Sequence, residues 1–440
     1  MRRALLISSL VFAACSSGQK VKTSHAASLP FIEDDYAKAL ELAKAKKLPL
    51  FVDTWAPWCH SCVFLREHVL TRPELARNEG RFVFLAINTE KPGATAFLEK
   101  YPVENWPTLF VIDSATGTVA LKWLGTATVE QLEGLFADGE RAVRSAAGET
   151  PDALLVQADN QYAQGKPQIA ALTYGKVARK ADASWERRPR AIESWLTALW
   201  ASKQYDDCSK TARVEVPTLP KGPSFLNATV IGLSCATSAP DDAAWKKEAL
   251  GALEELGKEA LALEGVLADD KSGLYESLIS AREAVKDEAG ARALGLSWLD
   301  FLEGEAKKAP NPAARAVFDA HRTSAAIAAG MPARAEAALK QSATEFPDDY
   351  NPPARLAIIY RELGKLDEAM THIEKALDKA YGPRKLRLFE IKASVQEKKN
   401  DKSGQKATLK KALDYGRELP APQRNEKTLA RLETAIKALP

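Results

Sequence analysis

Leu50-Phe51-Val52-Asp53-Thr54-Trp55-Ala56-Pro57-Trp58-Cys59-His60-Ser61-Cys62 is the stretch on which the fold turns. An apolar run of strand length enters a Pro-containing turn and ends in a Cys-x-x-Cys pair. Phe64, Leu65, His68 and Val69 follow at helical spacing, which predicts a helix opening near Cys59. Upstream, residues 34–46 predict a helix with Tyr36, Ala39, Leu40 and Ala43 on one face. Downstream, the pattern predicts a buried strand over 82–87 and a helix over 94–101. Strands over 109–112 and 118–123 flank a turn at 113–117, and a helix covers 129–136. Alternating strands and helices closed by a hairpin predict an α/β sheet with helices on its faces.

This region resembles the thioredoxin-like thiol–disulfide oxidoreductases. The resemblance rests on the strand ending at Val52-Asp53-Thr54-Trp55-Ala56, on Trp58-Cys59-His60-Ser61-Cys62, on Trp106-Pro107-Thr108, and on Gly125 after the last strand. It implies that Cys59 is an exposed nucleophile and Cys62 the resolving thiol, the two forming a redox-active disulfide. A cysteine at a helix N-terminus faces free N–H groups and the positive end of the dipole, which favours the thiolate. The three-residue spacing keeps both sulfurs on one helix face, within bonding reach. The resemblance further implies that Asp53 relays a proton to Cys62 and that Pro107, after Trp106, is a cis-proline presenting backbone to substrate. Trp55 and Trp58 would form an apolar rim.

His60 follows the nucleophile directly, and its imidazole is expected to stabilise the thiolate. Oxidising members place histidine before the second cysteine, where this chain has Ser61, so the direction of exchange stays open. Ala86 stands where the family has a buried lysine near Asp53, which is expected to raise the acid's pKa further. The helix after the motif has Arg66-Glu67-His68 in place of a kinking proline, with an insertion through Arg72-Pro73, as in envelope interchange domains. Other readings stand beside these. The Cys59–Cys62 pair could be a purely structural bridge or half a metal site, and Asp53 a satisfied core carboxylate. With no second cysteine pair nearby, zinc is disfavoured; Val63 occupies the position that haem attachment requires to be histidine. Copper handling by the two cysteines with His60 or His68 is a third reading. No cofactor and no resident metal is expected.

Beyond about residue 150 the β-branched runs vanish and Ala-rich helical pairs take over. Gly330 and Gly364, Ala335 and Ala369, and Leu339 and Ile373 each stand 34 positions apart (364 − 330, 369 − 335, 373 − 339). The segments 316–349 and 350–383, and 157–177, resemble tetratricopeptide repeats, with weaker copies at 189–222, 222–256, 272–305 and 384–413 and a capping helix at 428–439. The resemblance implies an all-α solenoid whose groove binds a protein partner. The lysine-rich tract 398–411 reads as a solvated face. Cys208, near the start of one repeat's second helix, and Cys235, near the end of the next repeat's first helix, are expected to adjoin. They form a structural disulfide in an oxidising compartment, or else remain two buried free thiols.

At the amino terminus, Arg2 and Arg3 precede an apolar run ending Phe12-Ala13-Ala14-Cys15. This resembles a bacterial lipoprotein signal, which implies lipidation of Cys15, with ordinary cleavage near His25-Ala26-Ala27 as the alternative. The expected organisation is therefore a signal with lipobox over 1–15, a flexible tether over 16–29, and a thioredoxin-like domain over 30–140. A linker over 141–150 and a repeat domain over 151–440 follow. The 61 Lys+Arg and 58 Asp+Glu give a net charge of +3, which offers no electrostatic footprint for nucleic acid. The sequence thus predicts a lipid-anchored, periplasm-facing protein of the bacterial envelope. Its expected activity is dithiol–disulfide exchange on protein substrates, with the solenoid recruiting a client. The rival is a scaffold whose thioredoxin-like module is a redox-sensitive adaptor.

Overall fold

The computed structural model describes residues 29–144 and 148–440, so the expected signal, Cys15 and most of the tether lie outside the described residues. The first region is a five-stranded sheet in the order β1-β3-β2-β4-β5. Its elements are β1 (Phe31–Glu33), α1 (Tyr36–Lys46), β2 (Leu50–Trp55), α2 (His60–Phe64), β3 (Val83–Asn88), α3 (Thr95–Lys100), β4 (Thr108–Ile112), β5 (Val119–Leu124) and α4 (Val129–Arg144). β1, β3 and β2 run parallel, and β4 and β5 antiparallel to their neighbours. β2 and β3 are covered on both faces, which is why they read as continuous apolar runs. Phe51, Phe84, Leu109 and Val111 pack with Phe64, Leu135 and Phe136 on the face of α2 and α4. Val52, Leu85, Ile87 and Phe110 pack with Ala39, Ala43 and Phe97 on the face of α1 and α3.

Three local features depart from the expectations. β1 is an additional strand, paired with β3. α2 continues as a π-turn over Leu65–Val69, so the irregularity that a proline produces elsewhere is made here without one. α4 runs on to Arg144, into the segment expected to be a linker, and the next helix starts at Pro151 behind the Thr150 cap.

The remaining chain is helical, in antiparallel pairs. The clearest repeats give Asp319–Ala328 with Glu336–Glu345 and Asn351–Glu362 with Leu366–Lys379. Gly330 (φ +69°) and Gly364 (φ +73°) sit just past first helices in left-handed conformation, where glycine carries no Cβ penalty. Cys208 in Tyr205–Glu215 and Cys235 in Pro223–Ser238 are disulfide-bonded, with Cα atoms 6.1 Å apart.

The two regions are not separate bodies joined by a tether. Phe64, Leu65, Phe84 and Leu135 belong to the same buried cluster as Trp298, Leu302, Phe318 and Leu339. Helices of the solenoid thus receive the edge of the sheet domain that carries the cysteines.

Candidate functional site

The site begins where β2 ends. Cys59 caps α2 with extended backbone, and its Sγ accepts from the Cys62 N–H at 3.1 Å. Its own N–H donates to Ala56 O at 3.1 Å, which fixes the turn. Cys59 and Cys62 are disulfide-bonded with Cα atoms 5.3 Å apart. The Trp106–Pro107 peptide is cis, and Pro107 O accepts from the N–H of Gly125 at 2.9 Å. Gly125 takes φ +91°, so its place in the motif is a matter of backbone conformation; a Cβ there would meet nothing within 4 Å.

Cys59 was expected to be exposed, and it is not: only 6% of its surface is accessible. Helical-region residues cover the loop on several sides. Asn351 Nδ2 donates to Pro57 O at 3.0 Å. The Arg384 guanidinium lies 4.7 Å over the Trp58 ring, and the Arg384 N–H donates to Glu90 Oε2 at 2.7 Å. Trp58 Nε1 donates to the other Glu90 oxygen at 2.7 Å, and Trp58 meets Trp106 edge-on at 5.3 Å. The tryptophan rim is thus half-buried, with Trp58 partly covered by the helical region. Burial raises the Glu90 pKa, against the pull of the Arg384 and Trp58 hydrogen bonds.

Asp53 is fully buried, with one carboxyl oxygen 3.3 Å from Arg66 Nη1 and the other without a partner. Burial outweighs the Arg66 cation and lifts its pKa to about 6. Ala86 lies opposite Asp53 in the sheet register, as the sequence implied. The missing lysine is compensated from another element: Arg66, one turn past Cys62, reaches Asp53 and Glu33 and stacks 4.4 Å over Trp55.

His60 is held by the helical region. Its Nδ1 lies 2.7 Å from Val317 O and its Nε2 2.8 Å from Asp269 Oδ1. Both ring nitrogens thus lie against oxygens of the helical region, with Nδ1 in hydrogen-bond geometry. Burial pushes Asp269 up, but the His60 charge and hydrogen bond outweigh it and hold the carboxyl below the ordinary range. His321 stacks on His60 at 3.7 Å with 22° between the rings, and burial with the His60 charge drives its pKa well down.

The donor atoms of His60, Asp269 and His321 lie within 4.8 Å of one another, as metal ligands would. The stacking argues against that use. Nearly parallel ring planes do not meet within coordination reach, so a cation in the plane of one ring lies outside that of the other. His68, the other histidine weighed for copper, stacks on Phe64 at 4.6 Å with Nε2 3.2 Å from Ala314 O, a packing role.

Beside this loop is a cavity of about 340 Å³. Ser61, Gly125 and Thr126 border it from the sheet domain, and Glu193, Asp269, Asp270 and Glu276 from the helices. Asp270 Oδ1 accepts from Thr126 Oγ1 at 2.7 Å, and Oδ2 has no partner. Burial, reinforced by the Asp269 charge, raises Asp270 to about 7; burial raises Glu193 to about 8, with Asp270 adding to it. A raised carboxyl pKa contributes stability that is complete below the unfolded value near 4 and is lost as pH rises through the folded value. Asp270→Asn is therefore expected to be more stable than wild type at pH 8, by on the order of 3 kcal/mol, and equal to it at pH 4. Calorimetry at the two pH values checks this; the same difference at both would refute it.

The sequence did not point to Asp269, Asp270, His321, Glu90 or Arg384. Asp269 and Asp270 stand in the first turn of the helix Ala268–Ala284, where acids are ordinary dipole partners. The cysteine loop and the solenoid's inner face meet only through the tertiary fold.

With this geometry in hand, comparison assigns the two regions. Residues 32–114 match the thioredoxin-like family model and residues 326–387 the tetratricopeptide repeat model. The chain thus joins a thioredoxin-like domain to tetratricopeptide repeats, a redox-type module on a solenoid of the adaptor kind. Two solved structures similar to it are a tetratricopeptide repeat protein from Parabacteroides merdae and the TPR2AB domain–pHSP90 complex of yeast Sti1. The first is 14% identical, covers 65% of this chain and 100% of its own, with a TM-score of 0.37. The second is 14% identical, covers 65% of this chain and 97% of its own, with a TM-score of 0.25. No curated protein matches the chain.

Proposed function

We propose that this protein is a thiol–disulfide oxidoreductase acting on protein substrates. The observation that carries the reading is the Cys59–Cys62 disulfide at a helix start beside the cis Trp106–Pro107 bond, with the His60 imidazole held next to Cys59 in sequence. In the reducing direction, the Cys59 thiolate attacks a substrate disulfide. A Cys59–substrate S–S bond forms, the substrate bond breaks, and the departing sulfur takes a proton. Cys62 then loses its proton to the Asp53 carboxylate and attacks Cys59 Sγ. The internal disulfide closes and the second substrate sulfur leaves, so two electrons have passed to the substrate. An external dithiol restores the pair. The reverse sequence oxidises a substrate dithiol. His60, held by Asp269 and Val317 O, stabilises the Cys59 anion; Asp269 positions it.

Residues 1–15 support export and lipid attachment at Cys15, giving a protein anchored at the envelope of a bacterium and facing the periplasm. The repeats support recruitment of a protein client, on surfaces that the sheet domain leaves free.

Asp53 supplies the test. In wild type, exchange with a peptide disulfide is expected to rise with pH through about 6, as the carboxylate becomes available. In Asp53→Asn the step at that pH disappears and the resolving rate falls by roughly tenfold or more. Stopped-flow measurement of mixed-disulfide decay across pH 4–9 reads both effects; no exchange by wild type at any pH would dispose of the activity.

A further inference from the structure

We propose that the cavity beside the cysteine loop is a subsite for a cationic side chain, lysine or arginine, of the substrate polypeptide. This rests on the exchange activity proposed above and specifies its substrate class. Four carboxylates border the space, Glu193, Asp269, Asp270 and Glu276, and no lysine or arginine borders it. An acidic cluster alone would carry little weight. Here two members are deeply buried yet unsatisfied: Asp270 is 7% exposed with Oδ2 unpartnered, and Glu193 is 5% exposed with Oε2 unpartnered. Leaving such oxygens without partners is unfavourable, a penalty that an incoming donor removes.

The shape agrees with the charge. The cavity of about 340 Å³ has room for one long side chain together with waters. Leu124, Trp200, Val230 and Ile231 line it, apolar surface suited to an aliphatic stem whose charged head meets the carboxylates. The position agrees as well. Ser61, between the two cysteines, and Gly125, bonded through its N–H to Pro107 O, form the wall on the sheet side. A substrate residue close in sequence to the reacting cysteine is therefore the one presented to the cavity.

Titration distinguishes this subsite from a fixed anionic surface. The groups facing one another across it are Asp269, Asp270, Glu193, Glu276 and His321, with His60 behind Asp269. Asp269 is committed to His60. Burial lifts Asp270 to about 7 and Glu193 to about 8, so at pH 7 in the empty cavity about half of the first and most of the second is protonated. A cation entering would ionise them, and its binding would release protons to solvent.

The test uses the full chain and three peptide disulfides that differ only at the residue next to cysteine: arginine, glutamine or glutamate. Wild type is expected to show KM about tenfold lower for the arginine peptide than for the glutamine peptide, with glutamate weakest and kcat similar among them. In Asp270→Asn with Glu193→Gln, the arginine-to-glutamine KM ratio is expected to fall to about one. Equal KM values for the three peptides in wild type would overturn the subsite, whether or not the double variant folds, and so would a preference that survives in the variant. A preference abolished by prior EDTA treatment would overturn it too, assigning the carboxylates to a metal ion. Failure of wild type to exchange with any of the peptides would instead strike at the oxidoreductase reading itself.

Discussion

Replacing Cys59 with serine is expected to abolish disulfide exchange, lowering the rate by roughly a thousandfold or more, because a hydroxyl cannot become the anion that attacks sulfur at neutral pH. The surroundings make this the most severe substitution in the chain. Cys59 alone combines a place at the start of α2, a donor in the Cys62 N–H and the His60 imidazole next in sequence. The partner variant behaves differently. Cys62→Ser retains the attacking thiolate but cannot resolve the product, so it accumulates a covalent Cys59–substrate disulfide. Mass spectrometry of the intact chain after mixing with a peptide disulfide reads the adduct, and loss of reductant-coupled turnover reads the rate. A Cys59→Ser protein within threefold of wild type, or a Cys62→Ser protein that never forms the adduct, would remove Cys59 from the chemistry.

Removing the other bridge should act on stability. Cys208→Ala with Cys235→Ala opens a loop with a sequence separation of 27. Chain entropy puts the loss at about 3.5 kcal/mol. Both cysteines are fully buried where Tyr205–Glu215 lies against Pro223–Ser238. Contact there is close: a Cβ on Gly232 would stand 2.7 Å from the Ala212 Cβ. The bridge thus fastens helices already pressed together, out of reach of small reductants. Urea unfolding followed by circular dichroism should show an earlier midpoint for the double variant. Identical midpoints would mean that the bridge contributes nothing to stability.

The sequence carried the sheet domain because each central element is marked twice, by pattern and by punctuation. β2 is an unbroken apolar run that stops at Pro57, and the periodicity of Phe64, Leu65, His68 and Val69 sets in just after it. β1 escaped notice because three residues are too few for either period to show. The repeats were clear where Gly165, Gly330 and Gly364 occupy the left-handed turn. They were faint where Lys203, Lys286 and Asn400 take the same conformation (φ +59°, +61° and +58°), since no glycine marks the place.

The site was legible only on one side. Cys59, Cys62, Asp53, His60, Trp106, Pro107 and Gly125 lie on and beside the strands β2, β4 and β5, the set the family resemblance brought together. Asp269, Val317, His321, Asn351 and Arg384 arrive from more than 200 positions past the cysteine pair. Periodicity tells that Phe318 or Trp298 is buried; it does not tell what each is buried against. The expected exposure of Cys59 was mistaken for that reason. Each half was read as finishing its own surface, and the two finish one another.

That mutual completion bears on how such a chain can change over generations. Beads on a string can be shuffled, since each keeps its inside to itself. Here Phe64 and Leu65 share an interior with Phe318 and Leu302, so transplanting either half into another gene would leave a raw oily face on both pieces. Duplication or loss of repeats is confined to places remote from that seam, and the halves must drift in step, a change on one flank answered by a change on the other.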